Sequence, residues 1–289
     1  AFGGGSPLDV AKAVAVIASY GGNITDYEGG GKVPGPVVPM IAIPTTAGTG
    51  SEVTAFSVIT DHSRNYKLTV VSNYLLPAYA ILDPELITTV PKSTAAACGI
   101  DAMVHALEAF ISKAASPFSD LFAKEALRLI GTSIRDYVLD RSNLAACESM
   151  LTGSLFAGIA FSHARLGDVH AMSHPVSAYF DVAHGVANAV LLPTIVDYNM
   201  TYASEKYKYI YDCICEKPLS DDTFTPEMLA AEIRVLNDEL GIPSSLSEVG
   251  VDSSLFDKMA DDAMKSGNIL VNPRPTTKKD ILALYAQAF

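Results

Sequence analysis

The chain holds six histidines, His62, His105, His163, His170, His174 and His184. Asp101 and His105 are four residues apart in GIDAMVHALEAF, and His170 and His174 are four apart in GDVHAMSHPVSAYF. On a helix each such pair projects from one face. His184 follows in DVAHGVANAVLLP, ahead of a helical or buried apolar run. A lone histidine in such apolar, small-residue surroundings is ordinarily a hydrogen-bonded core residue. Asp101, His105 and two of the three later histidines instead offer one carboxylate and three imidazoles. That donor set suits Fe2+ or Zn2+ and contains no thiolate of the structural zinc kind. A divalent ion with a single carboxylate keeps a net positive charge. With one position open it acts as a Lewis acid on a carbonyl or alkoxide oxygen.

A second chemistry is written in two loops. Gly3-Gly4-Gly5-Ser6-Pro7 stands immediately before a helical pattern that contains Asp9 and Lys12. Glycines let backbone approach a phosphate, and the free N–H groups of a helix start attract the anion. The spacing is not the G-x-G-x-x-G fingerprint, and an ordinary tight turn would use the same residues. The run from Pro44 to Glu52, PTTAGTGSE, follows a short apolar strand. Loops at the carboxyl ends of parallel strands are where open α/β sheets bind ligands, so two such loops together favour a nucleotide.

The elements that must position these groups fall into two textures. Residues 1–90 read as α/β: a turn, a helix over PLDVAKAVAVIASYGG, a buried strand in VVPMIAIPTT, a hairpin or edge strands TAFSVITD and NYKLTVVS around Asp61–Asn65, and a short strand AYAILDP. From residue 91 to 289 the patterns are almost all helical, rich in Ala and Leu, with Ser, Thr or Asp caps. The expected fold class is therefore α/β plus all-α, with a boundary at Thr89–Ser93. The acidic stretches around Asp221 and Asp261 are expected to be solvated faces.

Composition narrows the function classes. Of 289 residues, 49% are hydrophobic and 18% charged, enough to bury a sizeable core. Lys and Arg number 20 against 32 Asp and Glu, a net charge of -12. With no basic run, nucleic acid is a poor partner. No apolar run approaches the ~20 residues needed to cross a bilayer, so no membrane partner is expected. Four cysteines suit a reduced, cytoplasmic setting, and Cys213-Ile214-Cys215 lacks the second pair of a thiolate metal site.

GGGSPLDVAK, IPTTAGTGSE, ILDPELITTVP with GIDAMVHALEAFIS, VHAMSHPVSAYFDVAHGVANAVLLP and VNPRPTT together resemble the iron-containing (group III) alcohol dehydrogenases along essentially the whole chain. The resemblance implies an incomplete Rossmann-like dinucleotide-binding domain followed by an all-helical, metal-binding domain. It also implies a homo-oligomer, a dimer or larger. It places metal ligands at Asp101, His105, His170 and His184, with His174 nearer the nicotinamide as a proton relay. It assigns cofactor contacts to Gly4, Gly5, Ser6, Asp9, Thr45, Thr46, Thr49, Ser51 and Lys67. The implied cofactors are Fe2+, with Zn2+ as a substitute, and NAD or NADP, with NAD favoured. Chains of that family start well before Ala1, so a first βαβ unit of roughly 30 or more residues is expected to be missing. The implied reaction is hydride transfer between a nicotinamide and a small primary alcohol or aldehyde. A polyol dehydrogenase, a dehydroquinate-synthase-like enzyme and a truncated, catalytically silent chain are the alternatives. His163 stands where the family pattern leads us to expect asparagine or another small polar residue, and is read as a histidine near the cleft rather than a fifth ligand.

Overall fold

The computed structural model describes residues 1–61, 63–64, 66–217, 220 and 223–289. His62, Asn65 and Asp221 lie outside the described residues. The chain opens with β1 (Phe2–Gly3) and α1 (Gly5–Tyr20), continues through β2 (Gly29–Gly30) and β3 (Ile41–Pro44), and forms the hairpin β4 (Phe56–Asp61) and β5 (Tyr66–Val71) before β6 (Tyr79–Ala80). The helices α2 (Lys92–Ile111), α3 (Pro117–Leu139), α4 (Leu144–Ala164), α5 (Asp168–Phe180), α6 (His184–Ile214), α7 (Glu227–Leu240), α8 (Phe256–Ala263) and α9 (Lys278–Ala288) follow.

Two small sheets carry the first part. One is parallel, in the order β1-β3-β6, and the other runs β2-β5-β4. In the second, β4 and β5 pair antiparallel from Phe56 opposite Val71 to Asp61 opposite Tyr66. Leu68 and Val70 alternate inward from this hairpin and join Val16 of α1, Val33 and Leu75 in a small core. The larger core belongs to the helices.

Helix ends follow local chemistry. At the start of α3, the Ser116 hydroxyl accepts from Ser119 N at 3.2 Å, and Pro117 occupies the first turn, where no N–H is needed. Inside α6, Pro193 lacks an N–H and so frees the carbonyl of Ala189. Asn237 Nδ2 of α7 donates to that oxygen at 2.8 Å, which ties α7 to α6 at the proline.

Two helices bear on the expectation that no apolar run spans a bilayer. Helices α2 and α4 are long and apolar enough to cross a bilayer by length and composition, with mean hydropathies of 1.3 and 1.5. Their apolar windows are 89% and 50% buried within the fold, α2 as a core helix among the other helices. The hydropathy comes mainly from Leu, Ile, Phe, Met and Val set among alanines, and polar residues such as Asp101, His105 and Glu108 in α2 and Glu148 and Ser154 in α4 interrupt any continuous apolar run.

Candidate metal centre and cofactor cleft

The two chemical patterns meet in a cleft of about 530 Å3, lined by Gly5, Ser6, Asp9, Thr49, Ser51 and Lys67 and also by Asp101, His105, His170, His174 and His184. Three helices deliver the second group. Asp101 and His105 come from one face of α2, His170 and His174 from α5, and His184 is the first residue of α6.

Asp101, His170 and His184 offer ligand atoms that all lie within 4.8 Å of one another. His105 Nε2 stands 3.9 Å from Asp101 Oδ1, and the Nε2 atoms of His170 and His184 stand 3.8 and 3.9 Å from the same oxygen. Tautomers follow from the second ring nitrogens. His105 Nδ1 is 3.1 Å from the carbonyl oxygen of Gly48, and His170 Nδ1 is 2.7 Å from Glu108 Oε2. Each Nδ1–H therefore donates outward and leaves the Nε2 lone pair facing Asp101.

The electrostatics match this reading. Burial holds His170 and His184 well below the ordinary imidazole value, and the neighbouring histidines push the same way, so both rings are neutral. Burial also raises the Asp101 carboxyl, opposed by His105 and by the Asn188 amide. Glu108 is pushed up to about 8 by burial, although the Val169 N–H donates to its Oε1 at 2.7 Å. Asn188 Nδ2 donates to Asp101 Oδ1 at 2.6 Å and lies 3.2 Å from the Nε2 atoms of both His170 and His184. Asn188 Oδ1 is buried without a partner among the described residues. Lone pairs thus converge from Asp101, His170 and His184, which share the Asn188 amide nitrogen as their donor, and His105 turns its Nε2 toward the same Asp101 oxygen from beside that group. A divalent cation fits such a donor set.

His174 stands beside this group. It is half-buried, stacks on His184 with ring centroids 5.3 Å apart, and meets His170 edge-on at 6.3 Å. Burial, with Lys67 and His105 adding to it, lowers its pKa to about 4. His163 is exposed and edges against Phe118 at 4.8 Å.

The glycine turn is shaped by close packing. A Cβ on Gly5 would lie 2.7 Å from Thr49 Cγ2, so the turn and the threonine loop can touch only through glycine. Gly50 adopts φ 62°, and a Cβ there would lie 2.8 Å from Gly158 Cα in α4. This contact presses the loop against α4 and sets the Gly48 carbonyl on His105. No side chain caps the start of α1, and Gly5 and Ser6 of its first turn line the cleft. The cradle fits a phosphate-bearing cofactor.

Other expected cofactor residues take different places. Gly4, Thr45 and Thr46 adjoin the lining residues and are half-buried: Thr45 N donates to Gly3 O at 3.0 Å, and the Thr46 side chain hydrogen-bonds Cys98. Asp9 lines the cleft but is held by the Ser51 hydroxyl at 2.5 Å and the Val58 N–H at 2.9 Å. Lys67 Nζ donates to Thr60 Oγ1 at 2.7 Å, and burial lowers its pKa against the pull of Asp181.

Sequence reasoning missed two residues of the centre. Glu108 lies three residues after His105 and seven after Asp101, on their helix face. Asn188 lies four residues after His184. The spacing rule applied to the histidines would have found both.

The comparisons agree with the geometry. Residues 1–84 match the family described as iron-containing alcohol dehydrogenase, and residues 95–289 match the C-terminal region of the Fe-containing alcohol dehydrogenase family. The chain is 42% identical over 288 residues to the 1,3-propanediol dehydrogenase of Klebsiella pneumoniae, covering 99% of this chain and 74% of that one. It is 37% identical to the NAD-dependent methanol dehydrogenase of Bacillus methanolicus, over 99% of this chain and 75% of the other. The crystal structure of a 1,3-propanediol oxidoreductase superposes with a TM-score of 0.94 at 41% identity, covering 100% of this chain and 76% of that one. The chain belongs to the iron-containing alcohol dehydrogenase family and is, as a member, an alcohol–aldehyde oxidoreductase.

Proposed function

We propose that this chain transfers a hydride between NAD and a small primary alcohol or aldehyde, at a divalent metal held by Asp101, His105, His170 and His184. Fe2+ is the favoured ion and Zn2+ a competent substitute, because zinc generally binds such donors more tightly than ferrous iron. The observation that carries the proposal is the convergence of imidazole and carboxylate lone pairs in the same cleft as the glycine turn. NAD is favoured over NADP by the likeness to an NAD-dependent relative. The working unit is a homo-oligomer, a cytoplasmic setting suits the four free cysteines, and the chain divides into a cofactor-binding part, residues 1–90, and a metal- and substrate-binding part, residues 91–289.

When bound, the metal polarises the substrate oxygen and the nicotinamide exchanges the hydride. The chain's own residues do the rest. Gly5 and Ser6 offer backbone N–H groups to the cofactor phosphates, with Gly4 shaping the turn. Thr49 and Ser51 close over that turn, Thr45 and Thr46 support it, and Asp9 fixes the position of Ser51. Lys67 contacts the ribose from the hairpin. Glu108 holds the Nδ1 proton of His170 and so orients the ring. His174, neutral at neutral pH, accepts the hydroxyl proton on a ring nitrogen during oxidation and returns it during reduction.

The test is NADH consumption with a panel of short aldehydes, before and after chelation. Turnover that disappears with the metal and returns on adding Fe2+ or Zn2+ supports the proposal. Turnover indifferent to chelation, or none with any aldehyde in the metal-loaded protein, refutes it.

A further inference from the structure

Helix α4 ends at Ala164, and the next residue, Arg165, stands at φ 63° and ψ -175°. That corner of backbone space is almost reserved for glycine, because a Cβ crowds the adjoining peptide groups. Among the described residues, Asp181 is the other non-glycine with positive φ. Its φ of 54° and ψ of 26° place it in the ordinary left-handed region, which aspartate tolerates. Arg165 is therefore the more strained, and strain of this kind is kept where a side chain has work to do.

Arg165 lines the same cleft as the histidines. Its guanidinium packs on Gly267, where a Cβ would collide with Nη2. Among the described residues, no hydrogen-bond acceptor and no carboxylate engages that guanidinium. The neighbouring charges are already paired. Asp262 accepts from Lys265 Nζ at 2.6 Å and from the Tyr179 hydroxyl at 2.5 Å, and Lys67 donates to Thr60. Asp9 is held by Ser51 and Val58. The cleft thus presents a guanidinium with open donors, in a chain whose net charge is -12. A strongly acidic chain repels anions at long range, so this cation acts locally.

We propose that Arg165 is a specificity-determining residue that receives an anionic oxygen group, such as a carboxylate or sulfonate, at the far end of an aldehyde substrate. The inference deepens the function proposed above and rests on it. The planar guanidinium fork matches two oxygens of such a group. The cofactor phosphates are the other source of anionic oxygens in this cleft. They already have the start of α1, whereas Arg165 sits on the short link from α4 to α5, five residues before His170. That placement ties the cation to the helix that carries His170 and His174 rather than to the glycine turn.

The experiment compares two aldehydes of equal length, one ending in a carboxylate and one in a hydroxyl, with the metal-loaded full chain and NADH. The wild type is expected to favour the carboxylate aldehyde. Arg165→Gln is expected to lower kcat/KM for that aldehyde by ~10–100-fold, mainly through KM, and to change the hydroxyl aldehyde by less than ~3-fold. Gly267→Ala keeps the charge but displaces the guanidinium, and should give the same selective loss in smaller measure. Turnover of the hydroxyl aldehyde shows that each variant is folded and that the underlying function holds. If the wild type reduces neither aldehyde, the function proposed above fails and this inference with it. An equal loss on both aldehydes, no loss on either, a wild-type preference for the hydroxyl aldehyde, or a raised KM for NADH in Arg165→Gln would each overturn the role given to Arg165 alone.

Discussion

Two buried polar clusters border the same cleft, and they handle charge in opposite ways. Around α1, Lys12 is completely buried, and its Nζ donates to Ser51 Oγ at 2.9 Å, Thr54 Oγ1 at 3.1 Å and Phe56 O at 2.7 Å. Asp9, 3.6 Å from that ammonium, takes hydrogen bonds from Ser51 and Val58. Donors and acceptors there satisfy each other. Around α2, α5 and α6 the acceptors outnumber the donors: the Nε2 atoms of His105, His170 and His184 face the Asp101 carboxylate, with one Asn188 amide among them. A complete set of partners marks the first as a structural cluster, whereas the surplus lone pairs of the second suit the cation site proposed above.

The contrast can be broken in four places. The largest effect is expected from His174→Ala. This histidine, unlike His105, His170 and His184, makes no contact with Asp101 and is proposed as the proton relay, so metal content should stay at the wild-type level while kcat falls by ~10²–10⁴-fold. Elemental analysis beside steady-state kinetics checks it, and loss of metal in this variant would move His174 into the ligand set. Lys12→Met strikes the self-satisfied cluster. It leaves three acceptors and Asp9 without their cation, and should cost about 3–5 kcal/mol in denaturant unfolding with no loss of metal.

Glu52, buried beside Lys12, is pushed up to about 7 from its ordinary 4.5 by burial. The unfolded chain therefore releases this proton first. Stability is unaffected well below 4.5 and declines as pH rises toward and through 7, by on the order of 3 kcal/mol in all. Glu52→Gln cannot ionise. Its unfolding free energy, followed by denaturant titration across this window, should lack that part of the decline. A parallel pH dependence in the two proteins would contradict the assignment. The smallest effect is expected from Glu108→Gln, which weakens the acceptor for His170 Nδ1 without removing a ligand. Metal affinity should drop by ~10–100-fold in a competitive chelator titration.

Much of this was legible before any coordinates. The i,i+4 pairs Asp101/His105 and His170/His174 depend only on helical geometry, and both lie on helices as read. The hairpin β4–β5 followed from alternation, and the helical texture after Pro91 followed from the apolar spacing and caps. What stayed hidden depends on contacts between distant segments. Nothing local says that Lys12, in an amphipathic helix, is fully buried, because its three acceptors lie 39 to 44 residues away. Thr45 and Thr46 looked equivalent to Thr49 in the loop, and only the fold separates their partners: Thr45 N pairs with Gly3 O and Thr46 with Cys98, while Thr49 packs on Gly5. Arg165 gave no signal, since a backbone dihedral is not written in composition.

The central claim is that the surplus of acceptors between α2, α5 and α6 holds a divalent ion. The most direct test is metal content per chain after loading with Fe2+ or Zn2+ and removal of free ion, in the wild type, His170→Ala, Asp101→Ala and Lys12→Met. One ion per chain in the wild type and in Lys12→Met, with little or none in the other two, is the expected result. A wild type that retains no ion, or His170→Ala and Asp101→Ala proteins that retain a full complement, would contradict it.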